Sequence, residues 1–135
     1  MNPKAEIGPK NGSLLIVGGG RLSPKIIDKF IELAGGKDAP MVLIPTAGGA
    51  KSYPDSRGDL LRERGATDVT VLHANTKEEA NSASFIEALQ KAKGVWFSGG
   101  RQWRLVDAYT DTQAETLFWE VLNKGGVIGG SSAGA

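Results

Sequence analysis

Five short apolar runs recur along this chain: Leu14-Leu15-Ile16-Val17, Met41-Val42-Leu43-Ile44, Val69-Thr70-Val71-Leu72, Val95-Trp96-Phe97 and Gly126-Val127-Ile128-Gly129. They limit the fold more than any other feature. Most are continuous rather than alternating, the pattern of parallel strands covered on both faces. Between them, residues 24–34, 55–64, 78–92 and 113–124 have helical spacing. Ser23-Pro24 has the form of an N-cap followed by proline at the first helical position. Thr76 with Glu79 and Thr112 with Glu115 have capping-box spacing. Gly35, Gly65 and Gly125 fall where a left-handed residue closes a helix. This β-α alternation predicts an α/β fold, with an open parallel sheet in a three-layer sandwich. Ligands of such sheets bind beyond the carboxyl ends of the strands, here residues 18–23, 45–54, 73–75, 98–103 and 130–135.

With 135 residues the chain is the size of one ordinary domain. Residues 1–12 are polar and read as a flexible lead-in, leaving 13–135 for the domain itself. The net charge is +1 and no Lys/Arg block is long enough to follow a phosphate backbone, so nucleic acid is not an expected partner. No apolar run is long enough to span a membrane, and nothing marks a compartment. Zero cysteines exclude disulfides, thiolate metal sites and a cysteine nucleophile. A single histidine without clustered carboxylates is a poor ligand set, so no metal is expected. Gly18-Gly19-Gly20 invites a dinucleotide site, yet the third glycine of that pattern falls on Ser23. The second strand also ends in Ile44-Pro45-Thr46 rather than an acid, and no cofactor is expected.

The last strand runs into Gly130-Ser131-Ser132-Ala133-Gly134, which matches G-x-S-x-G in one register only. That register makes Ser132 the nucleophile, since Ser131 would need glycine at position 133. A nucleophile elbow uses small flanking residues because the serine sits on a sharp strand-to-helix turn. The N–H after it, that of Ala133, then points at a developing oxyanion. A second donor must come from a neighbouring loop, and Ser98-Gly99-Gly100 ends the preceding strand.

Five segments, 12–20, 44–47, 78–81, 97–102 and 126–135, resemble in order and spacing the successive motifs of cyanophycinases and their serine-peptidase relatives, among them aspartyl dipeptidases. The resemblance implies a flavodoxin-like α/β fold, shared with class I glutamine amidotransferases. It also implies a Ser-His-Glu type site acting on peptides with aspartyl or β-aspartyl linkages. By position it makes Ser132 the nucleophile, Gly100 and Ala133 the oxyanion donors, and Gln102 a residue that holds substrate. Cyanophycinases commonly place Asp before that glutamine, where this chain has Arg101. Arg101, with Arg104, is thus a candidate for an acidic substrate group through charge-assisted hydrogen bonds. The family carries its histidine and acid after the serine, whereas this chain stops three residues beyond Ser132. The expectation is an N-terminal part of the domain, silent alone, whose partner is the remaining C-terminal half. Family members are often homodimers, which adds a second copy as an expected partner.

Two other readings stay open. His73, the lone histidine, closes a strand on the ligand side and is a candidate substitute base, though such residues are usually structural. The missing base also allows a catalytically incomplete binding or scaffold domain. An amidotransferase is excluded, because its elbow needs cysteine. The motif register makes a direct prediction. In the full-length protein a fluorophosphonate probe labels Ser132, and labelling of Ser131 would show the register to be wrong.

Overall fold

Parallel strands cannot be joined by tight turns, so each needs a crossover that brings the chain back to the same end of the sheet. A computed structural model describes residues 12–17, 24–46, 52–74, 76–97, 109 and 112–131. Its elements are β1 (Ser13–Val17), α1 (Pro24–Ala34), β2 (Met41–Ile44), a 3-10 turn (Asp55–Gly58) running into α2 (Asp59–Arg62), and β3 (Val69–Val71). After these come α3 (Lys77–Ala80), α4 (Ala83–Lys91), β4 (Gly94–Phe97), α5 (Gln113–Asn123) and β5 (Val127–Ser131). The strands form one sheet in the order β1-β5-β4-β2-β3, and every pairing is parallel.

The continuous apolar runs serve two cores. Met41, Leu43, Trp96 and Val127 pack with Ile27, Phe30, Ile31 and Ala34 of α1 and with Leu61 of α2. Val42, Ile44, Val95 and Phe97 pack with Phe85 and Leu89 of α4 and with Leu117 and Val121 of α5. This is the expected three-layer sandwich. The connections through α1 and α2 move outward to β3, and those through α4 and α5 return to β5 across the other face. The helices that follow β2 and β4 thus lie on opposite faces of the sheet, the arrangement that marks a ligand-binding edge in open α/β sheets.

Two glycines make the first core possible. Phe30 and Trp96 meet edge to face, with ring centroids 5.3 Å apart. A Cβ on Gly129, the register partner of Trp96, would lie 2.7 Å from two atoms of its ring and 3.1 Å from Phe30 Cδ1. At Gly94 a Cβ would lie 2.9 Å from both Phe30 Cζ and Ala34 Cβ. Trp96 Nε1 is buried without a hydrogen-bond partner among the described residues, so apolar contact alone holds this ring.

Local signals largely act as expected. Thr76 Oγ1 accepts from the Glu79 amide at 3.2 Å, and Thr112 Oγ1 from the Glu115 amide at 3.3 Å. Gly35, Gly65 and Gly125 have φ of 114°, 108° and 90°. Ser23 and residues 1–11 lie outside the described residues. Three details differ from expectation. The helix over 78–92 is two helices, broken at Asn81-Ser82, and Asn81 Oδ1 there accepts the Gln113 amide of the first turn of α5 at 2.8 Å. The helix over 55–64 opens as a 3-10 turn, where Gly58 presses against β3 with no room for a Cβ beside Val69. Finally, β5 extends past Gly129, since Gly130 and Ser131 pair with Ile16 and Val17.

Gly129→Ala is predicted to destabilise the fold by roughly 1–3 kcal/mol through overpacking against Trp96 and Phe30. Urea unfolding of the full-length protein checks it, and an unchanged midpoint would mean the rings shift without cost.

Candidate active site

The strand that leads into the G-x-S-x-G motif has a neighbour on each side. Gly130 is the register partner of Ile16 in β1 and of Phe97 in β4, and Ser131 of Val17. Ser132 follows Ser131 directly in the chain, while Gly100, Arg101 and Gln102 follow Phe97 by a few residues. The fold thus brings the ends of β4 and β5, which lead toward these candidate residues, to one level of the sheet, about 4.8 Å apart. Ser132, Ala133, Gly100, Arg101, Gln102 and Arg104 themselves lie outside the described residues.

His73 is placed elsewhere. It follows β3, which stands three strand spacings, roughly 14 Å, from β5. A general base must come within about 3.2 Å of the proton it removes, directly or through one water. Its Nδ1 is also engaged, 3.0 Å from Thr46 Oγ1 at the end of β2. Tyr53 meets the imidazole edge-on at 4.9 Å, and the Arg57 guanidinium lies over the Tyr53 ring at 5.0 Å. The histidine is built into the edge of the sheet, away from β5.

Sequence reading singled out no role for the residue that completes this assembly. Tyr109 is buried, with its hydroxyl 2.6 Å from Thr46 Oγ1 and its ring tilted against Phe85. The Ala74 backbone amide donates to the same phenol oxygen. All three side chains are satisfied when Tyr109 donates to Thr46 and Thr46 donates to Nδ1 of a neutral His73. The signal was faint. Thr46 stood inside the run Ile44-Pro45-Thr46-Ala47, and Tyr109 stands three residues before the Thr112 cap, whose hydroxyl donates to the Tyr109 carbonyl at 2.6 Å. Among the described residues no group of three or more His, Asp or Glu is placed to hold a metal ion.

The model of peptidase family S51 matches residues 14–135. The chain belongs to peptidase family S51. A cyanophycinase of Geminocystis herdmanii (strain PCC 6308) is 30% identical over 131 residues, covering 91% of this chain and 47% of that protein. One from Synechococcus elongatus is 31% identical over 119 residues, covering 82% and 35%. The chain thus spans about half or less of the curated relatives it matches. Among solved structures, a peptidase from an acI-B1 Actinobacterium superposes with a TM-score of 0.74 at 29% identity, over 92% of this chain and 55% of that one. A putative peptidase E from Listeria monocytogenes EGD-e shares the fold, with a TM-score of 0.61 at 20% identity over 92% of this chain and 60% of that one.

In this S51 chain the buried phenol has a pH signature. Burial pushes the Tyr109 hydroxyl from its ordinary 10.0 up to about 12, against the opposing hydrogen bonds of Thr46 and Ala74 and with a small further push from Glu79. The folded state therefore keeps a proton that the unfolded chain loses first. The associated stability is complete below pH 10 and declines as pH rises through about 12, by on the order of 2–3 kcal/mol. Tyr109→Phe is predicted to remove that part of the alkaline decline. Denaturant titrations of both proteins between pH 9 and 12 measure it, and parallel declines would show that Tyr109 does not titrate there.

Proposed function

We propose that this chain carries the nucleophile of a serine peptidase that cleaves aspartyl or β-aspartyl peptide bonds. One observation carries the reading: β5, paired on both edges, leads directly into the G-x-S-x-G motif at the carboxyl edge of the sheet. The adjoining β4 leads into Gly100 from the same level, which favours a shared oxyanion site. In this mechanism Ser132 Oγ attacks the scissile carbonyl and passes its proton to a base. The amides of Ala133 and Gly100 donate to the tetrahedral oxyanion, each worth roughly 3 kcal/mol. Collapse expels the amine, which takes the proton from the base, and water then releases the acyl group from Ser132.

Gln102 holds the substrate, with Arg101 tuning its charge preference. The base and its orienting acid come from outside residues 1–135, because the sole histidine of the chain is tied to Thr46 beyond β2 and β3. The aspartyl preference rests on the resemblance to cyanophycinases, supported by the relatives that bear that name.

In the full-length protein, Ser132→Ala is predicted to lose on the order of 10⁶ in kcat, the behaviour of a complete triad. A panel of β-aspartyl-arginine polymer, α-aspartyl dipeptides and neutral dipeptides tests the substrate class. Fastest cleavage of the neutral dipeptides would falsify the aspartyl assignment while leaving the serine mechanism standing.

A further inference from the structure

Every described connection of the sheet keeps one hand. The steps β1 to β2 and β2 to β3 run one way along the strand order through α1 and α2 on one face, and the steps β3 to β4 and β4 to β5 run the other way through α4 and α5 on the opposite face. The direction of a crossover therefore sets its face. The outer edge of β3 is already engaged at Val69, whose carbonyl accepts from Arg62 Nη2 at 3.0 Å and whose side chain packs against Gly58. β1 is different, because among the described strands it pairs only with β5. The Ser13 amide donates to the Gly126 carbonyl at 2.9 Å, so the alternating amides of Leu14 and Ile16 face the other edge.

The α5 face beside that edge carries apolar surface. Ile128 is only partly buried although β5 is paired on both edges. Trp119 is 62% exposed, the one large apolar side chain so placed among the described residues. Two neighbours fix its position on α5. Lys124 Nζ donates to the Gln90 carbonyl of α4 at 3.0 Å, whereas a Cβ on Gly12, just before β1, would lie 2.7 Å from Leu122 Cα. Trp119 lies one turn before Leu122 and about 140° around the helix from Lys124, on the flank turned away from α4 toward β1. We propose that this flank, with Ile128 and the outer edge of β1, seats the segment of the full-length protein that follows β5. The chain spans about half of the S51 relatives it matches, so the family has chain to place there. A step from β5 to a parallel position beyond β1 continues the direction of β4 to β5, and so crosses on the α5 face, against Trp119 and over Ile128. This seat follows from S51 membership and the hand of the sheet, whatever nucleophile the site uses.

The test uses the full-length protein. With the photo-cross-linker p-benzoylphenylalanine in place of Trp119, irradiation is expected to give a link within one chain, mapped by mass spectrometry to residues beyond 135. A covalent dimer would show that a second copy covers the flank. That result, links confined to residues 1–135, or no link in a folded variant overturns the proposal. Should the variant fold poorly, the wild-type protein decides the matter. Hydroxyl radicals are expected to oxidise its Trp119 at least about ten-fold more slowly than in the urea-unfolded chain, and the Leu14 and Ile16 amides to exchange at least about a hundred-fold more slowly. Oxidation of Trp119 within about twofold of the unfolded rate, or exchange of both amides at the unfolded rate, overturns the proposal as well.

Discussion

β5 is hydrogen-bonded along both edges, to β1 and to β4, and the candidate site hangs from that pairing. A strand held on one edge can slip, but here a one-residue slip would have to break two ladders and exchange Val127 and Ile128 between opposite cores. Gly129 marks the register further, because only there does the strand leave space for Trp96 to lie beside it. Packing on the α1 face thus governs where the chain emerges on the carboxyl edge. A ring whose nitrogen has no hydrogen-bond partner among the described residues thus helps set the register of β5 by the room it requires.

The other half of that edge is organised by polar contacts. Thr46 and Tyr109 are buried, and a buried hydroxyl without a partner costs about 1–3 kcal/mol, so their bond holds only in one relative placement. Surface ion pairs contribute far less. Arg64 makes a two-pronged pair with Asp28 that ties the turn after α2 to α1, but both side chains are substantially exposed and solvent screens the attraction. Arg62 does more for the fold by donating to the Val69 carbonyl at 3.0 Å, which links α2 to the start of β3.

Much of this was legible in the residues. The five apolar runs mark all five strands, and the Thr76 and Thr112 caps and the positive-φ glycines lie where their spacing put them, because each depends on chemistry within a few positions of chain. Strand order is a different matter. That β5 slots between β1 and β4 depends on which faces the crossovers take, a property of the assembled sheet that no single segment encodes. Asn81 shows the same limit at smaller scale, since the amide its side chain accepts from lies 32 positions away. The G-x-S-x-G motif was readable in the residues, and the family model spans it. The Tyr109–Thr46–His73 chain was hidden, because its members lie in three different connections and become neighbours only once the sheet is built.

The place of β5 also orders events in time. β1 is the first strand made, yet among the described strands its only partner is β5, the last. During synthesis β2, β3 and β4 can join one another as soon as they leave the ribosome, whereas β1 must wait, its edge unmet, until residues 127–131 arrive. Closing so long a stretch of chain is slow, because entropy is lost before any contact returns it. Among the described strands, β5 is then the piece that joins β1 to the others. The strand that runs into the G-x-S-x-G motif is thus anchored on both edges only after every other described strand has been made.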